Sequence, residues 1–226
     1  MTFRDLVDHF DSTIIVFLNK QVVGKFRALD LSIEFIEKSF LFSGVLLLTL
    51  LWYRWFKDAR ARSRMQLLFG IFVAVLAGVL SRVLQHILPF HLRPLYNLHL
   101  TFPIGLEPGP LSHWNSFPSD HACIYFALAT VLFLSDRQWG IFAFFCAAIT
   151  CSTRIYLGIH YPSDVLAGAI LGVLVVTLLT RIPLPHGVYR ILDWERDAPP
   201  SFYACAFIVS YQIATLFTDL RAIAHL

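Results

Sequence analysis

The chain has 226 residues, of which 57% are hydrophobic and only 15% are charged, and its formal net charge is +3. Its mean hydropathy of +0.66 lies far above that of soluble globular domains. The composition therefore excludes an ordinary soluble fold and indicates an integral membrane protein. The basic residues form no folded basic domain, so we expect no nucleic-acid partner.

Apolar stretches long enough to cross a bilayer recur along the chain, since about 20 helical residues span the hydrocarbon core. We predict an all-α fold, a multi-pass transmembrane helical bundle of five or six spans, in a single membrane domain covering residues 1–226. Residues 40–220 form the bundle. The candidate spans, some of them short because polar residues stand at their ends, are residues 40–55, 65–88, 121–134, 139–157, 165–180 and 203–217.

The first 39 residues differ from the rest in their pattern. The apolar run 14–18 is too short to span, and charged residues such as Lys20, Lys25, Asp30 and Glu34 recur around it. This pattern favours an amphipathic segment that lies at the membrane interface. The segment lacks the basic start and small-residue cleavage site of a signal peptide, so we expect it to be retained.

The loop between the first two spans carries the strongest basic cluster of the chain. Arg54, Lys57, Arg60, Arg62 and Arg64 stand there against one acidic residue, Asp58. Short loops rich in Lys and Arg remain in the cytoplasm, which predicts that this loop is cytoplasmic. Alternating spans then place the connection 89–117 and the loop 158–163 on the outer side.

Three groups of polar residues fall at these outer span ends. Ionisable residues at such depth are costly unless they pair or function, and two of these residues are arginines, whose planar donors suit phosphate oxygens. We therefore predict an anion site. The residues are Arg93 in HLRPLYN, Ser119, Asp120 and His121 in SFPSDHA, and Arg154, His160 and Asp164 in STRIYLGIHYPSD.

Two of the spans begin at this outer side. Pro118 and Pro162 each suit a first helical position, so both helices direct free backbone N–H groups and the positive end of the dipole into the same space. Together with Arg93, Arg154 and the Ser119 hydroxyl, these two helix starts are expected to form a binding site for a tetrahedral oxyanion. Such a site stabilises the charge of a phosphoryl-transfer transition state.

The histidines have distinguishable roles in this scheme. His160 is the expected nucleophile, and Asp164, four residues on, accepts from one ring nitrogen and orients the other. His121 approaches from the other helix start, protonates the departing oxygen and then activates water. This division predicts a covalent phosphohistidine and no metal or other cofactor.

The motif order resembles the three-part signature of the type 2 phosphatidic acid phosphatase family. The similarity covers the catalytic core, residues 86–164, in the order RP, PSDH, then SxR followed by His and Asp. The resemblance implies a metal-independent phosphatase whose site faces outward. It also implies His160 as nucleophile, Asp164 as its support, His121 as acid, and Arg93, Ser119 and Arg154 as phosphate ligands.

PSDH resembles the bacterial undecaprenyl-diphosphatase branch of that family. The implied function is hydrolysis of a polyprenyl diphosphate, or of a related lipid phosphate, at the outer side of the membrane. The implied location is a bacterial inner (plasma) membrane, with the site facing the periplasm or exterior. The expected partners are the lipid substrate and membrane lipids.

Two positions depart from the family pattern. His86 stands where the first motif usually has lysine, and Arg82, one helical turn earlier, is an alternative cation for the phosphate. Asp120 stands where glycine is commonest, and its carboxylate repels substrate unless it pairs with Arg93 or another cation. We include His86 and Asp120 among the candidate phosphate-binding residues.

Other interpretations stay open. The same site suits a phosphotransferase with a lipid or sugar acceptor, a lipid-binding protein without activity, or a vanadate-dependent haloperoxidase. Taken singly, Arg93, Arg154 and His121 suit anchors at the membrane surface, and Ser119 suits a helix cap. His91, His99 and His113 have no ligand spacing and are interpreted as surface residues of the outer loop.

Overall fold

The computed structural model describes residues 2–39, 41–98, 100, 112–184 and 186–218. Within these ranges the chain is helical and contains no β-strand, so the predicted all-α class is confirmed. Residue 40, where the first predicted span begins, residue 220, where the predicted bundle ends, and His99 lie outside the described residues.

Ten α-helices follow one another along these described ranges. A π-helical turn, Leu41–Val45, leads into the third, and a 3₁₀ turn, His186–Tyr189, leads into the ninth. The helices are α1 Phe3–Gln21, α2 Arg27–Lys38, α3 Leu46–Lys57, α4 Ala61–Ile87, α5 Pro94–Asn97, α6 Asp120–Ser135, α7 Arg137–Tyr156, α8 Pro162–Leu179, α9 Arg190–Asp197 and α10 Pro199–Ala214.

The six predicted spans correspond in position to α3, α4, α6, α7, α8 and α10. Among the described residues, α4, α7 and α8 are long and apolar enough to cross a membrane, and α6 is a shorter apolar helix. Large apolar side chains such as Phe72, Phe145 and Leu166 are exposed on their outer surfaces. Exposed apolar surface of this extent suits contact with lipid, and the multi-pass helical architecture is confirmed.

Helix α6 lies at the centre of the bundle and packs against α4, α7 and α8. Its residues Ala122, Ala127 and Leu128 have no accessible surface. Small residues let helices approach closely, which is the usual source of helix association within a bilayer. The central position of α6 brings its N-terminus between the helices that carry the other motif residues.

Two glycines of α8 permit the closest of these approaches. A Cβ atom on Gly168 would lie 2.3 Å from the Ser119 carbonyl oxygen, and one on Gly172 would lie 2.2 Å from the Cys123 carbonyl oxygen. Real Cβ atoms essentially never come so near to a backbone atom. Glycine at these positions therefore lets α8 cross the start of α6 in direct backbone contact.

The N-terminal helices α1 and α2 pack on α7 and α8 at the end of the bundle where the motif residues lie. Carboxylates make the connecting hydrogen bonds. Asp11 of α1 accepts from the Ser163 backbone N–H, and Asp30 of α2 accepts from the Tyr156 hydroxyl. Residues 1–39 were predicted as an interfacial segment, which stays a prediction; the described part of this segment also covers one end of the bundle.

Candidate active site

The starts of α6 and α8 lie side by side. Ser119 caps α6, with its Oγ accepting from the Ala122 N–H at 3.4 Å, and its own N–H donates to the Asp164 carbonyl oxygen at 3.0 Å. Pro162 occupies the first turn of α8 as predicted. The prediction for Pro118 was wrong: it precedes the capping residue, because the Ser119 side chain takes the cap and the helix begins only at Asp120.

His160 lies in the short loop between α7 and α8, with 1% of its surface exposed. Its Nδ1 lies 2.9 Å from the Ser116 carbonyl oxygen and 3.6 Å from Asp164 Oδ2. A carbonyl can only accept, so the proton resides on Nδ1 and the lone pair on Nε2. The expected direct hydrogen bond to Asp164 is therefore replaced by one to the backbone, and the carboxylate acts on the imidazole through its charge.

The Asp164 carboxylate makes other hydrogen bonds, which explains this arrangement. Its Oδ2 accepts from the Ser116 hydroxyl at 2.9 Å and from the Tyr161 backbone N–H at 2.8 Å. The same carboxylate thus contacts Ser116, whose carbonyl oxygen accepts from the imidazole, and Tyr161, which follows His160 in the chain. Asp164 therefore orients the imidazole by holding the residues around it.

Burial determines the protonation of His160. Desolvation lowers the pKa of His160 below its usual value of 6.5, while the neighbouring Asp164 opposes that shift and Arg93 adds to it. A buried imidazole loses hydration when it is charged, so the neutral form is favoured. Nε2 consequently carries no proton at neutral pH.

Arg93 faces Nε2 of His160. Its Nη1 lies 3.3 Å from His160 Nε2 and donates to the Ile159 carbonyl oxygen at 2.9 Å, and 5% of the residue is exposed. Burial lowers the pKa of Arg93 to about 10, so the guanidinium stays charged at neutral pH. Its Nε–H is buried and has no hydrogen-bond partner among the described residues.

Arg154, near the end of α7, supplies a second guanidinium. Its Nη1 donates to Oε1 of Glu37 on α2 at 3.0 Å, and its Nε is also buried without a partner in the described part of the chain. Its charge acts on both His121 and His160. Two arginine N–H donors near His160 therefore lack an acceptor, and a buried donor without one costs free energy.

His121 extends from the first turn of α6 and interacts electrostatically with His160. Its Nδ1 lies 2.8 Å from Asp120 Oδ1, which leaves Nε2 available for another partner. Asp120 Oδ2 in turn lies 3.3 Å from Arg82 Nη1. The Asp120 carboxylate thus pairs with a histidine and with a cation, the condition under which it was expected not to repel the substrate. Its place among the phosphate-binding residues stays a prediction.

His86 was predicted to replace the lysine of the first motif. Its side chain is exposed, and its ring meets the edge of Trp114 at a centroid distance of 6.1 Å. Arg82, the alternative cation, stacks its guanidinium over the same indole at 4.8 Å and reaches Asp120. The contacts of the site therefore include Arg82, whereas the phosphate role of His86 stays a prediction.

His91 was interpreted as a surface residue, and this interpretation was wrong. Its Nδ1 lies 3.3 Å from Asp164 Oδ1, its ring stacks on Tyr161, and the hydrogen bond to Asp164 raises the pKa of His91. Its position two residues before Arg93 gave no signal, because the contact depends on how the loop folds back. His113 is exposed, as expected for a surface residue.

No group of three His, Cys, Asp or Glu residues suited to a metal ion occurs in the parts of the chain that the structure describes. The expected independence from metal concerns the reaction itself and stays a prediction.

Comparisons with known proteins agree with the motif order. Residues 89–186 match the family model of the PAP2 superfamily, which leaves His86 just outside the match. A bacitracin transport permease protein BcrC from Bacillus licheniformis is 31% identical over 50% of this chain and 53% of its own length. An undecaprenyl-diphosphatase from Sulfolobus acidocaldarius is 33% identical over 52% of this chain and 55% of its own.

A solved structure extends the similarity to the fold. LpxE from Aquifex aeolicus superposes with a TM-score of 0.57 at 25% identity, over 76% of this chain and 96% of that one. The chain spans about half the length of the first curated relatives that it matches. The chain is a helical membrane protein similar to the PAP2 superfamily in motif order, sequence and fold, and the predicted family resemblance is confirmed.

Proposed function

We propose that the protein is a metal-independent membrane phosphatase that removes the terminal phosphate from a lipid diphosphate or monophosphate. One observation carries this proposal: two buried arginine N–H donors without acceptors accompany the unprotonated Nε2 of a neutral, oriented imidazole, which faces Arg93. A tetrahedral oxyanion satisfies both donors and brings phosphorus to the nucleophile. The names of the relatives support the reaction class.

In the first step, the Nε2 lone pair of His160 attacks phosphorus. An N–P bond forms, the P–O bond to the leaving group breaks, and its electron pair stays on the departing oxygen. Nε2 of protonated His121 supplies the proton to that oxygen, while Asp120 stabilises the imidazolium at Nδ1. Arg93 and Arg154 hold the charge on the remaining phosphoryl oxygens.

In the second step, His121 accepts a proton from water as the water oxygen attacks the phosphohistidine. The N–P bond breaks and its electrons return to Nε2 of His160. The Nδ1–H donated to the Ser116 carbonyl keeps the ring in one tautomer throughout. Inorganic phosphate leaves, and both imidazoles regain their starting protonation.

A groove beside the site suits the lipid part of the substrate. A cavity of about 320 Å³ beside α4 and α6 has apolar walls that include Val79, Val83 and Ile124. Its polar lining residues are Arg82, His86 and Asp120. Val79 and Val83 are exposed on the outer surface of α4, so the groove opens towards lipid. A prenyl chain lying there brings its phosphates to the two helix starts.

Undecaprenyl diphosphate or a related polyprenyl diphosphate is the substrate that we propose. The relative from Sulfolobus acidocaldarius and one from Bacillus subtilis, which is 25% identical over 68% of this chain, are both named undecaprenyl-diphosphatase. The basic loop between α3 and α4 supports a cytoplasmic location for that end, and hence an active site on the periplasmic or exterior face of a bacterial inner membrane.

Phosphate release from a panel of lipid phosphates tests this function. We expect purified protein in detergent to release phosphate from prenyl diphosphates, with no loss of rate in EDTA. His160→Ala abolishes both turnover and phosphoenzyme, and His113→Ala is the matched control. Terminal ³²P appearing in a new lipid instead of free phosphate identifies a transferase, and binding without release by the intact protein contradicts the enzyme.

A further inference from the structure

A second polar cavity lies at the opposite end of the bundle from the candidate active site. Its volume is about 600 Å³, and it lies between the starting turns of α4 and the final turns of α6 and α8. We call it the arginine cavity, because its lining residues include the four arginines Arg54, Arg60, Arg62 and Arg181. None of its described lining residues is acidic.

Few carboxylates neutralise these arginines. Asp58 pairs with Arg54 at 3.3 Å and with Arg60 at 2.7 Å, and Asp136 approaches Arg54 Nε only to 4.0 Å. That Nε is buried and has no hydrogen-bond partner within the described ranges. Arg62 and Arg181 are exposed, and no ion pair joins either of them to a described carboxylate. Four cations therefore face two carboxylates.

The remaining walls divide into a polar rim and an apolar part. Hydroxyl groups of Ser63, Thr177 and Thr180 accompany the arginines, whereas Leu67, Val131 and Leu134 provide hydrocarbon surface. Leu134 is also exposed on the outside of α6. A free phosphate uses only the first part of this surface. A molecule with an anionic head and an apolar chain uses both.

We propose that the arginine cavity binds an anionic phospholipid of the leaflet opposite the candidate active site. The phosphodiester lies between Arg54, Arg62 and Arg181, and one acyl chain packs along Leu67 and Leu134. Arginine forks suit phosphate oxygens, and basic cavities between transmembrane helices bind anionic head groups in this way. The proposal does not depend on the function proposed above, since the two sites share no residue.

Lipid binding to the full-length protein in nanodiscs tests the proposal. We compare discs of phosphatidylcholine with discs containing phosphatidylglycerol, and count retained lipid by native mass spectrometry. Arg62→Gln with Arg181→Gln removes two exposed positive charges and is expected to weaken phosphatidylglycerol binding by about fivefold per arginine. Arg137→Gln with Arg190→Gln, at the same end but outside the cavity, is the control and leaves binding unchanged.

Several outcomes overturn the proposal. Equal retention by wild type and the Arg62→Gln, Arg181→Gln variant does so, and so does an equal loss in the control, which indicates general surface charge. Displacement of phosphatidylglycerol by millimolar inorganic phosphate indicates a site for a free anion. Unchanged melting temperatures in phosphatidylcholine discs verify that the variants are folded.

Discussion

Glu37 and Arg154 form an ion pair at 3.0 Å although 117 residues separate them. The other oxygen of the carboxylate accepts from the Thr153 hydroxyl, also at 3.0 Å. Helix α2 thus places a negative charge directly on one of the two guanidinium groups proposed to hold phosphate. The Glu37 carboxylate is therefore expected to lower the affinity of the site for an anion such as phosphate.

We expect Glu37→Gln to bind inorganic phosphate, as a competitive inhibitor, about fivefold more tightly than wild type. Glutamine keeps the hydrogen-bonding shape and removes a charge that repels the anion. Inhibition constants measured with a soluble aryl phosphate substrate check this. Glu34→Gln, on the same helix but paired with Lys38 on the surface, is the control; unchanged or weaker inhibition in Glu37→Gln contradicts the prediction.

The pairing of Asp120 with His121 predicts a dependence on the leaving group. Asp120→Asn weakens the support of the His121 imidazolium, and we expect kcat for a lipid phosphate to fall by about 10². An aryl phosphate with a good leaving group needs less protonation, so its loss is smaller. Equal losses for the two substrates contradict a positioning role, and Asp193→Asn, on exposed α9, is the control.

The burial of His160 predicts where kcat/KM begins to fall on the acid side of the pH–rate profile. Because desolvation lowers the pKa of His160 below 6.5, the imidazole stays neutral and reactive as the pH falls to that value. We expect kcat/KM for an activated aryl phosphate to decline only at lower pH. Asp164→Asn removes a charge that favours the imidazolium, so this decline moves further down by about one pH unit. A decline that moves upward contradicts the assignment.

The contact of His91 with Asp164 predicts a pH-dependent stability. The pKa of His91 is raised above 6.5, so its stabilising contribution is complete below 6.5 and is lost as the pH rises through the folded-state pKa. We expect His91→Gln to be less stable than wild type by about 1 kcal/mol at low pH and by much less at high pH. Unfolding in detergent measures this, with His113→Gln as control. A constant difference is the contrary result.

The backbone contact between α6 and α8 predicts that Gly168 is intolerant of any side chain. Its Cβ would meet the Ser119 carbonyl, so Gly168→Ala is expected to cost about 1–3 kcal/mol and to displace the start of α6. Gly172→Ala makes a similar clash one turn further away and should lose less activity for the same loss of stability. Gly187→Ala, with nothing within 4 Å, is the control. Activity and thermal unfolding are measured together.

The sequence by itself determined the class of fold and the order of the motifs. Span length and hydropathy are local properties, so 65–88 and 165–180 predict α4 and α8 without knowledge of their neighbours. Pro162 likewise marked where α8 begins. The chemistry proposed for His160 and the two arginines also rests on residue types and their order.

Only the tertiary structure decided which side chains meet. Asp164 hydrogen-bonds the backbone beside His160 and also contacts His91, which lies 73 residues earlier, and Asp120 pairs with Arg82 of another helix. Glu37 reaches Arg154 because α2 packs on α7. Such contacts depend on helix packing and loop closure, to which residues far apart contribute jointly. Periodicity and motif spacing describe one segment at a time and contain no information about these partners.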